Sequence, residues 1–297
     1  MAEPLVTEFP KEYLTALDEI VEQESFTTAY QETGAEFTST KTVLIPELII
    51  ANGTVPYDKF ETMNDTAIKY AAYELDQDRQ TTFYIDAVED IDEQHLRLLN
   101  LASEFNRTKL VPEIDTYFFG KVKANAKTDA KTNLTAANIK EELRNARMQM
   151  VQNGFNAAEL YMSVDALSCL EDAIDRQFAG EGTITDVVGH YDMFNVHMVP
   201  DDRLGLDFAV IAGGKKTIKH IWKRQVSNYF GPGTWQRGDG TALQMRWVYG
   251  TLCPKNRKGG IYVSKGTKAP DTSVKPVRQT VVVQQVAAGS GESNGEG

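Results

Sequence analysis

Along residues 81–121 the hydrophobic pattern changes period within a few positions. Phe83, Ile85 and Ala87 alternate with Tyr84, Asp86 and Val88, the two-residue repeat of a half-buried strand. Leu96, Leu99, Ala102 and Phe105 then recur at helical spacing. Leu98 and Leu101 widen this apolar stripe, so the pattern predicts a helix covered on more than one side. An acidic cluster at 86–93 separates the two periods. Within it Asp90 is placed to cap the helix, with Glu93 three residues on as in a capping box. The helix is expected to reach residue 110, with Pro112 restarting or kinking it and residues 113–122 helical again. A strand feeding a long helix through almost no connector is a mechanical spine. It carries no chemistry.

The flanking patterns are weaker. Tyr13, Leu14, Leu17, Ile20 and Val21 follow Pro10 at helical spacing and predict a short amphipathic helix on an N-terminal arm. Residues 27–40 are polar and predict no element. Residues 41–50, KTVLIPELII, are rich in strand formers but interrupted by Pro46, which suits an edge strand or a projecting ribbon. Turn residues at Asn52–Gly53 and Asn64–Asp65, with scattered aromatics, make 41–85 a long two-stranded excursion. An isolated hairpin is marginal in water, so such a ribbon must rest on something.

Residues 121–131 form a polar, lysine-rich connector and a natural boundary. Beyond it, residues 138–152 place Ile139, Leu143, Ala146 and Met150 on one helix face, ended by Asn153–Gly154. A strand at 159–164 follows, then a helix capped by Asp165 that buries Leu167, Leu170, Ile174 and Phe178. Strands at 194–199 and 208–211 complete an α+β pattern. Residues 241–263 alternate with turns and are expected to return to the first domain. From 264 on, Gly, Ser, Pro and Lys dominate apart from VRQTVVVQQV, which forms a strand only if a partner offers an edge.

A chain of 297 residues, 41% hydrophobic and 25% charged, has the composition of a folded protein with one large or two modest cores. No apolar run approaches the roughly 20 residues of a membrane helix. The opening MAEPLVTEFPKEYL lacks the features of an export signal, and Cys169 and Cys253 read as free thiols. Charge is segregated. Residues 1–120 carry 24 Asp and Glu against 8 Lys and Arg, a net −16, while residues 121–297 carry 18 against 23, a net +5. Such a pair of halves suits head-to-tail self-association. The acidic total of −11 argues against sequence-specific DNA binding.

Candidate chemistry is sparse. His95, His190, His197 and His220 lack metal-ligand spacing; His190, Asp192 and His197 come nearest to a cluster if alternation puts them on one face. A pocket near His190 and Asp192 would be the site of an α+β enzyme. Residues 211–216, IAGGKK, follow a strand but lack the order of a phosphate loop. Lys215, Lys216, Lys219, Lys223 and Arg224 form a helix-like basic run with Ile218, Ile221 and Trp222, the alternative site of a nucleic-acid-binding module. Asp201, Asp202 and Asp207 do not match a known calcium loop.

The order of elements, with five stretches of sequence, resembles the major capsid proteins of tailed double-stranded DNA phages with the HK97-type fold. LDQDRQTTFYIDAVEDIDE is similar to the second strand of that family's extended loop entering the spine helix, and ASEFNRTKLVPEIDTYFF to the spine and its exit. LTAANIKEELRNARMQMVQNGF with ELYMSVDALSCLEDA resembles the start of the axial domain, and ALQMRWVYGTLCPKNRKGGIYV the closing strands of the peripheral domain. The resemblance implies an N-terminal arm (1–40), an extended loop (41–85), a spine helix and peripheral domain (86–130), an axial domain (131–240), a peripheral return (241–263) and a flexible tail (264–297). It implies a non-enzymatic shell subunit without cofactor or metal, forming pentamers and hexamers around packaged double-stranded DNA. Its place would be the virion shell, assembled in the host cytoplasm with a separate scaffolding protein and a portal, and with no membrane. Tyr57, Lys59, Phe60, Met63 and Lys69 become candidates for the subunit interface, and Leu96, Leu99, Ala102 and Phe105 for the spine core. Some members crosslink a loop lysine to an asparagine; here the counterparts are Lys59 or Lys69 and Asn256, but no acid for that chemistry is placed by the sequence.

Overall fold

The computed structural model describes residues 25–32, 36–37, 39, 41–50, 66–85, 100–130, 133–174, 189–231, 233–234 and 240–264. The chain divides into two compact units; among the described residues the smaller lies between 34 and 75, and the larger holds 25–32 and 76–264. The smaller unit is a three-stranded sheet, β1 (Glu36–Phe37), β2 (Thr42–Ile50) and β3 (Thr66–Glu74), in that order. β2 and β3 pair antiparallel over nine positions, from Thr42 opposite Glu74 to Ile50 opposite Thr66. The Lys41 carbonyl accepts from the Leu75 N–H at 2.7 Å. Odd-numbered residues of β2 therefore turn their backbone groups toward β3 and even-numbered ones away. Pro46 is even, so the N–H it lacks would face the outer edge, where β1 covers only Val43 and Leu44. The ribbon is shorter than the sequence suggested, because the next strand, β4 (Gln77–Ile85), belongs to a sheet of the larger unit.

In the larger unit β4 pairs antiparallel with β11 (Thr241–Leu252), which pairs with β10 (Lys219–Phe230). The second sheet has six strands in the order β5 (Thr128–Ala130), β12 (Ile261–Ser264), β9 (Phe208–Ala212), β6 (Ala158–Ser163), β8 (Phe194–Val199), β7 (Gly189–Tyr191). The stretch 241–263 thus serves both sheets: β11 joins the spine's sheet, and β12 joins the sheet built from 128–212. Conversely β10, expected with the axial segment 131–240, lies beside β11.

The spine enters description at residue 100, where its first five or six residues are α-helical. A π-turn at Asn106–Leu110 precedes α1 (Val111–Asn125). Pro112, at the start of α1, has no N–H to give to the preceding turn. The π-turn absorbs that loss and lets the helix continue, so Pro112 restarts the repeat rather than breaking the rod. One side of the rod, with Ala102, Leu110, Ile114 and Tyr117, packs on Phe83, Leu243, Met245, Trp247 and Tyr249 of the three-stranded sheet. The other, with Phe118, Phe119 and Val122, packs on Tyr161, Ala209, Ile211 and Val263 of the six-stranded sheet. Covering on more than one side holds for α1, but Leu101 is 46% exposed and lies off the buried stripe that Ala102 joins. Phe105 is half-buried against Phe83, with ring centres 5.3 Å apart. Leu96, Leu98, Leu99 and the Asp90–Glu93 cap fall outside the described residues.

The far face of the six-stranded sheet is closed by α2 (Ile139–Gln152) and α3 (Val164–Ala173). Ile139, Leu143, Ala146 and Met150 of α2 are all buried there, as the spacing required, and Gly154 at φ +83° ends the helix. The cap of α3 is Ser163 rather than Asp165: its Oγ accepts from the Ala166 N–H at 3.1 Å. Ser163 closes β6 in extended backbone, which a cap requires, whereas Asp165 already lies in the first turn. Leu167 and Leu170 are buried and Ile174 half-buried; Phe178 is outside the described residues.

Truncation should separate the two kinds of leucine on the rod. Leu110→Ala should cost about 2–5 kcal/mol and Leu101→Ala no more than about 0.5 kcal/mol. Denaturant titration of both variants measures this, and equal losses would mean that the buried stripe is misassigned.

Candidate functional site

Because α1 is enclosed by both sheets, its polar side chains need partners inside the protein. Asp115 is fully buried. Its carboxylate accepts from the Ser25 hydroxyl at 2.8 Å, the Phe26 N–H at 3.1 Å and Arg203 at 3.3 Å. Ser25 also bonds the Thr27 hydroxyl at 2.7 Å. Residues 25–32 are thereby fastened to the chain's own spine. Tyr30 is fully buried against Phe118, ring centres 5.1 Å apart, and its hydroxyl accepts from Tyr161 at 3.1 Å. At the end of the segment, the Glu32 N–H donates to the His220 carbonyl at 2.9 Å and Lys219 pairs with the Glu32 carboxylate at 2.7 Å. The polar stretch in which the sequence predicted no element is therefore built into the core. Tyr13, Leu14, Leu17, Ile20 and Val21, the expected helix of an N-terminal arm, lie outside the described residues.

A second anchor lies two helical turns on. Asp76, the first residue of the larger unit after β3, accepts from the Tyr117 hydroxyl and from Lys121 at 2.9 Å. Lys121 also sits 5.3 Å from the centre of the Tyr117 ring, and the Thr251 N–H donates to the Tyr117 oxygen at 3.3 Å. β4 is held further by Arg79 on Glu113 at 2.7 Å and by Asp78, which takes both Nε and Nη2 of Arg246 at 2.7 and 2.5 Å. Phe83 faces the spine and Tyr84 the outside, as the alternation required.

The groups considered for chemistry are dispersed. Asp192, in left-handed backbone at φ +55°, pairs with Arg147 of α2 at 2.7 Å. His197 lies on the opposite sheet face, where it meets Glu159 at 2.6 Å and stacks on Tyr161 at 5.0 Å. His190 is opposite Asn195 in register, on the His197 face, and is exposed. The expected His190–Asp192–His197 cluster is therefore split by the sheet, because Asp192 occupies a turn and leaves the strand alternation. Among the described residues no group of three or more His, Cys, Asp or Glu is placed to hold a metal ion. Asp201 instead accepts from the Val164 N–H at 3.1 Å, beside the Ser163 cap. The basic run 215–224 is not helical: a short turn at Gly214–Lys216 leads into β10, and Ile218, His220 and Ile221 are all buried. Burial of neighbours and an irregularity between Arg224 and Val226 hide the strand's alternation. Asn256, expected in the returning strands, is exposed in the turn Lys255–Gly260. Tyr57, Lys59, Phe60 and Met63 are outside the described residues, and Lys69 stands in β3 opposite Glu47. Cys169 and Cys253 are free, and burial pushes the Cys253 thiol up to about 11. No described helix is long and apolar enough to cross a membrane.

No family model matches the chain, and no curated protein matches it. Solved structures do. The mature capsid of bacteriophage PhiM1 matches at TM-score 0.58 and 14% identity, over 83% of this chain and 88% of that one. The capsid of cyanophage P-SCSP1u matches at TM-score 0.55 and 14% identity, over 78% and 85%. This chain has the HK97-type capsid fold. The virus-like particle of Pyrococcus furiosus shares it at TM-score 0.55 and 13% identity, over 87% of this chain and 100% of that one.

Two buried groups give the fold opposite responses to pH. Burial pushes the Asp115 carboxyl up to about 6, even though Ser25, Arg203 and the Phe26 N–H all favour its charged form. The folded state thus holds this proton more tightly than the unfolded chain, and the associated stability is lost as pH rises from about 3.8 through about 6. Full burial holds His220 down to about 3, so its contribution is present above about 6.5 and is lost as pH falls toward 3. Relative to wild type, Asp115→Asn should gain on the order of 3 kcal/mol between pH 4 and pH 7. His220→Gln should flatten the loss of stability on acidification. Denaturant unfolding across pH 4–8 tests both; an Asp115→Asn curve parallel to wild type would show that this carboxyl does not titrate there.

Proposed function

We propose that this chain is the structural subunit of an icosahedral capsid, self-assembling into pentamers and hexamers that enclose double-stranded DNA. The observation that carries the reading is the HK97-type fold shared with phage capsids and a virus-like particle over most of each chain. The geometry of the larger unit supports it. A spine clamped between two sheets, with Asp76 and Asp115 tying in the segments that lead to ribbon and arm, gives each subunit a rigid body from which extended parts can reach neighbours. In this reading the ribbon and the residues before Ser25 lie over the adjacent subunit, and Tyr57, Phe60 and Met63 bury there apolar surface that a monomer would expose, beside Lys59 and Lys69. Repeated heterologous contacts of this kind close into rings. A separate scaffolding protein and a portal complete the proposed partners, with assembly in the host cytoplasm and the axial segment near the ring centres.

Sizing and electron microscopy of the expressed protein test the assignment. Shells or capsomers should elute far above the 33.1 kDa of one chain, whereas a stable monomer at high concentration would refute it. Removing residues 51–65, the ribbon's tip, should leave a folded subunit that no longer forms shells. Circular dichroism reports the fold and microscopy the shells; loss of folding would mean that the tip belongs to its own subunit's core.

A further inference from the structure

The strands β9 and β12 run antiparallel with Ile211 opposite Ile261, so the turns beyond them, Gly214–Lys216 and Lys255–Gly260, lie side by side. Their approach is as close as glycine permits. A Cβ on Gly260 would come within 2.9 Å of Thr217 Oγ1 and 3.0 Å of the Ala212 carbonyl. The Asn153 side chain clips the second turn by donating to the Gly259 carbonyl at 3.0 Å. This packing brings Lys215, Lys216, Lys255, Arg257 and Lys258 into one corner of the six-stranded sheet. Neither 208–218 nor 253–264 contains an Asp or Glu. None of the five side chains forms an ion pair with a described residue, whereas Arg79, Lys121, Arg203 and Arg246 are each paired within the fold. The corner is a fixed cluster of positive charge on a chain whose net charge is −11.

We propose that this basic corner is the docking surface for the carboxylate-rich front half of a second copy of the chain. The proposal rests on the assembly reading above and names one contact that makes it. The front half carries 24 acidic residues against 8 basic ones; Glu32, Asp76, Asp78, Glu113 and Asp115 are paired within the fold, so the complementary charge comes from the remaining carboxylates of that half. A nucleic-acid duplex is the less favoured occupant, because the remaining acidic surface repels its phosphates. Corner and front half are different parts of the chain, so the proposed contact is head-to-tail and propagates around a ring.

The test compares two variants with equal change in charge. One carries Lys255→Glu, Arg257→Glu and Lys258→Glu; the other carries Lys109→Glu, Lys140→Glu and Arg144→Glu, exposed positions away from these turns. Circular dichroism first establishes that each full-length variant folds. Light scattering at low salt then follows association. The corner variant should associate about tenfold more slowly than the control, and the difference should shrink as salt rises toward 0.5 M, since steering of this kind is screened. Equal slowing of both variants would overturn the proposal in favour of a general charge effect. Unchanged association of the corner variant would overturn it too. Unchanged association with loss of a wild-type affinity for a short DNA duplex would assign the corner to DNA instead. Failure of the wild-type chain to associate at all would sink the capsid reading itself, a distinct result.

Discussion

Enclosure of the helix α1 on nearly all sides is the constraint on which the rest of this structure depends. Val111, Ile114, Tyr117, Phe118, Phe119 and Val122 cannot all face one layer, so two sheets must close on the same helix. Once they do, no water reaches Asp115 or the Lys121 amine freely, and each must find a partner from another part of the chain. Asp115 draws in residues 25–27 and Arg203; Lys121 and Tyr117 draw in Asp76. The polar residues of the spine therefore decide where the two segments leading to arm and ribbon begin.

That arrangement explains why so small a set of anchors suffices. A buried pair contributes little net stability over an apolar replacement, but losing one partner leaves an uncompensated charge. Asp115 and Asp76 therefore act as position markers: they make one placement of the neighbouring segment far better than any other. The same burial gives Asp115 its raised carboxyl and His220 its depressed imidazole, so the core responds to acid in two opposing ways. Around neutral pH the His220 contribution is fully present and the Asp115 penalty is already incurred.

A division of labour follows. The core chemistry of the chain is spent on rigidity, with Arg79, Arg203 and Arg246 each committed to an internal carboxylate. Charge that the fold does not use is segregated, acidic toward the first half and basic at the turns beside β9 and β12. Under the proposed assembly, each part would have its use: a body that does not deform and surfaces that recognise copies of themselves.

Much of the fold was legible in the sequence where a single periodicity governs a segment. The face of α2 through Ile139, Leu143, Ala146 and Met150, the alternation of Phe83 and Tyr84, and the stop at Asn153–Gly154 each follow from local rules, because one side of each element is buried and the other is wet. The candidate sites were less legible. The run 215–224 looked helical because residues on both sides of the strand that begins at Lys219 are buried at its start, and periodicity cannot distinguish two-sided burial. Asp165 looked like a cap because capping residues are recognised by type, whereas the cap actually used depends on where the preceding strand ends. His190, Asp192 and His197 looked like a cluster until a turn put Asp192 on the other side of the sheet. Segment 25–32 had no period at all; Tyr30 is buried only because Phe118 and Tyr161, far along the chain, converge on it. By itself the sequence determined the elements governed by one periodicity, their order and the separation of charge, since these depend on neighbours a few residues apart. The tertiary structure alone decided which polar groups meet, because those partners lie far apart in the chain, 41 residues from Asp76 to Tyr117 and 131 from Tyr30 to Tyr161, and are joined only when two sheets close on one helix.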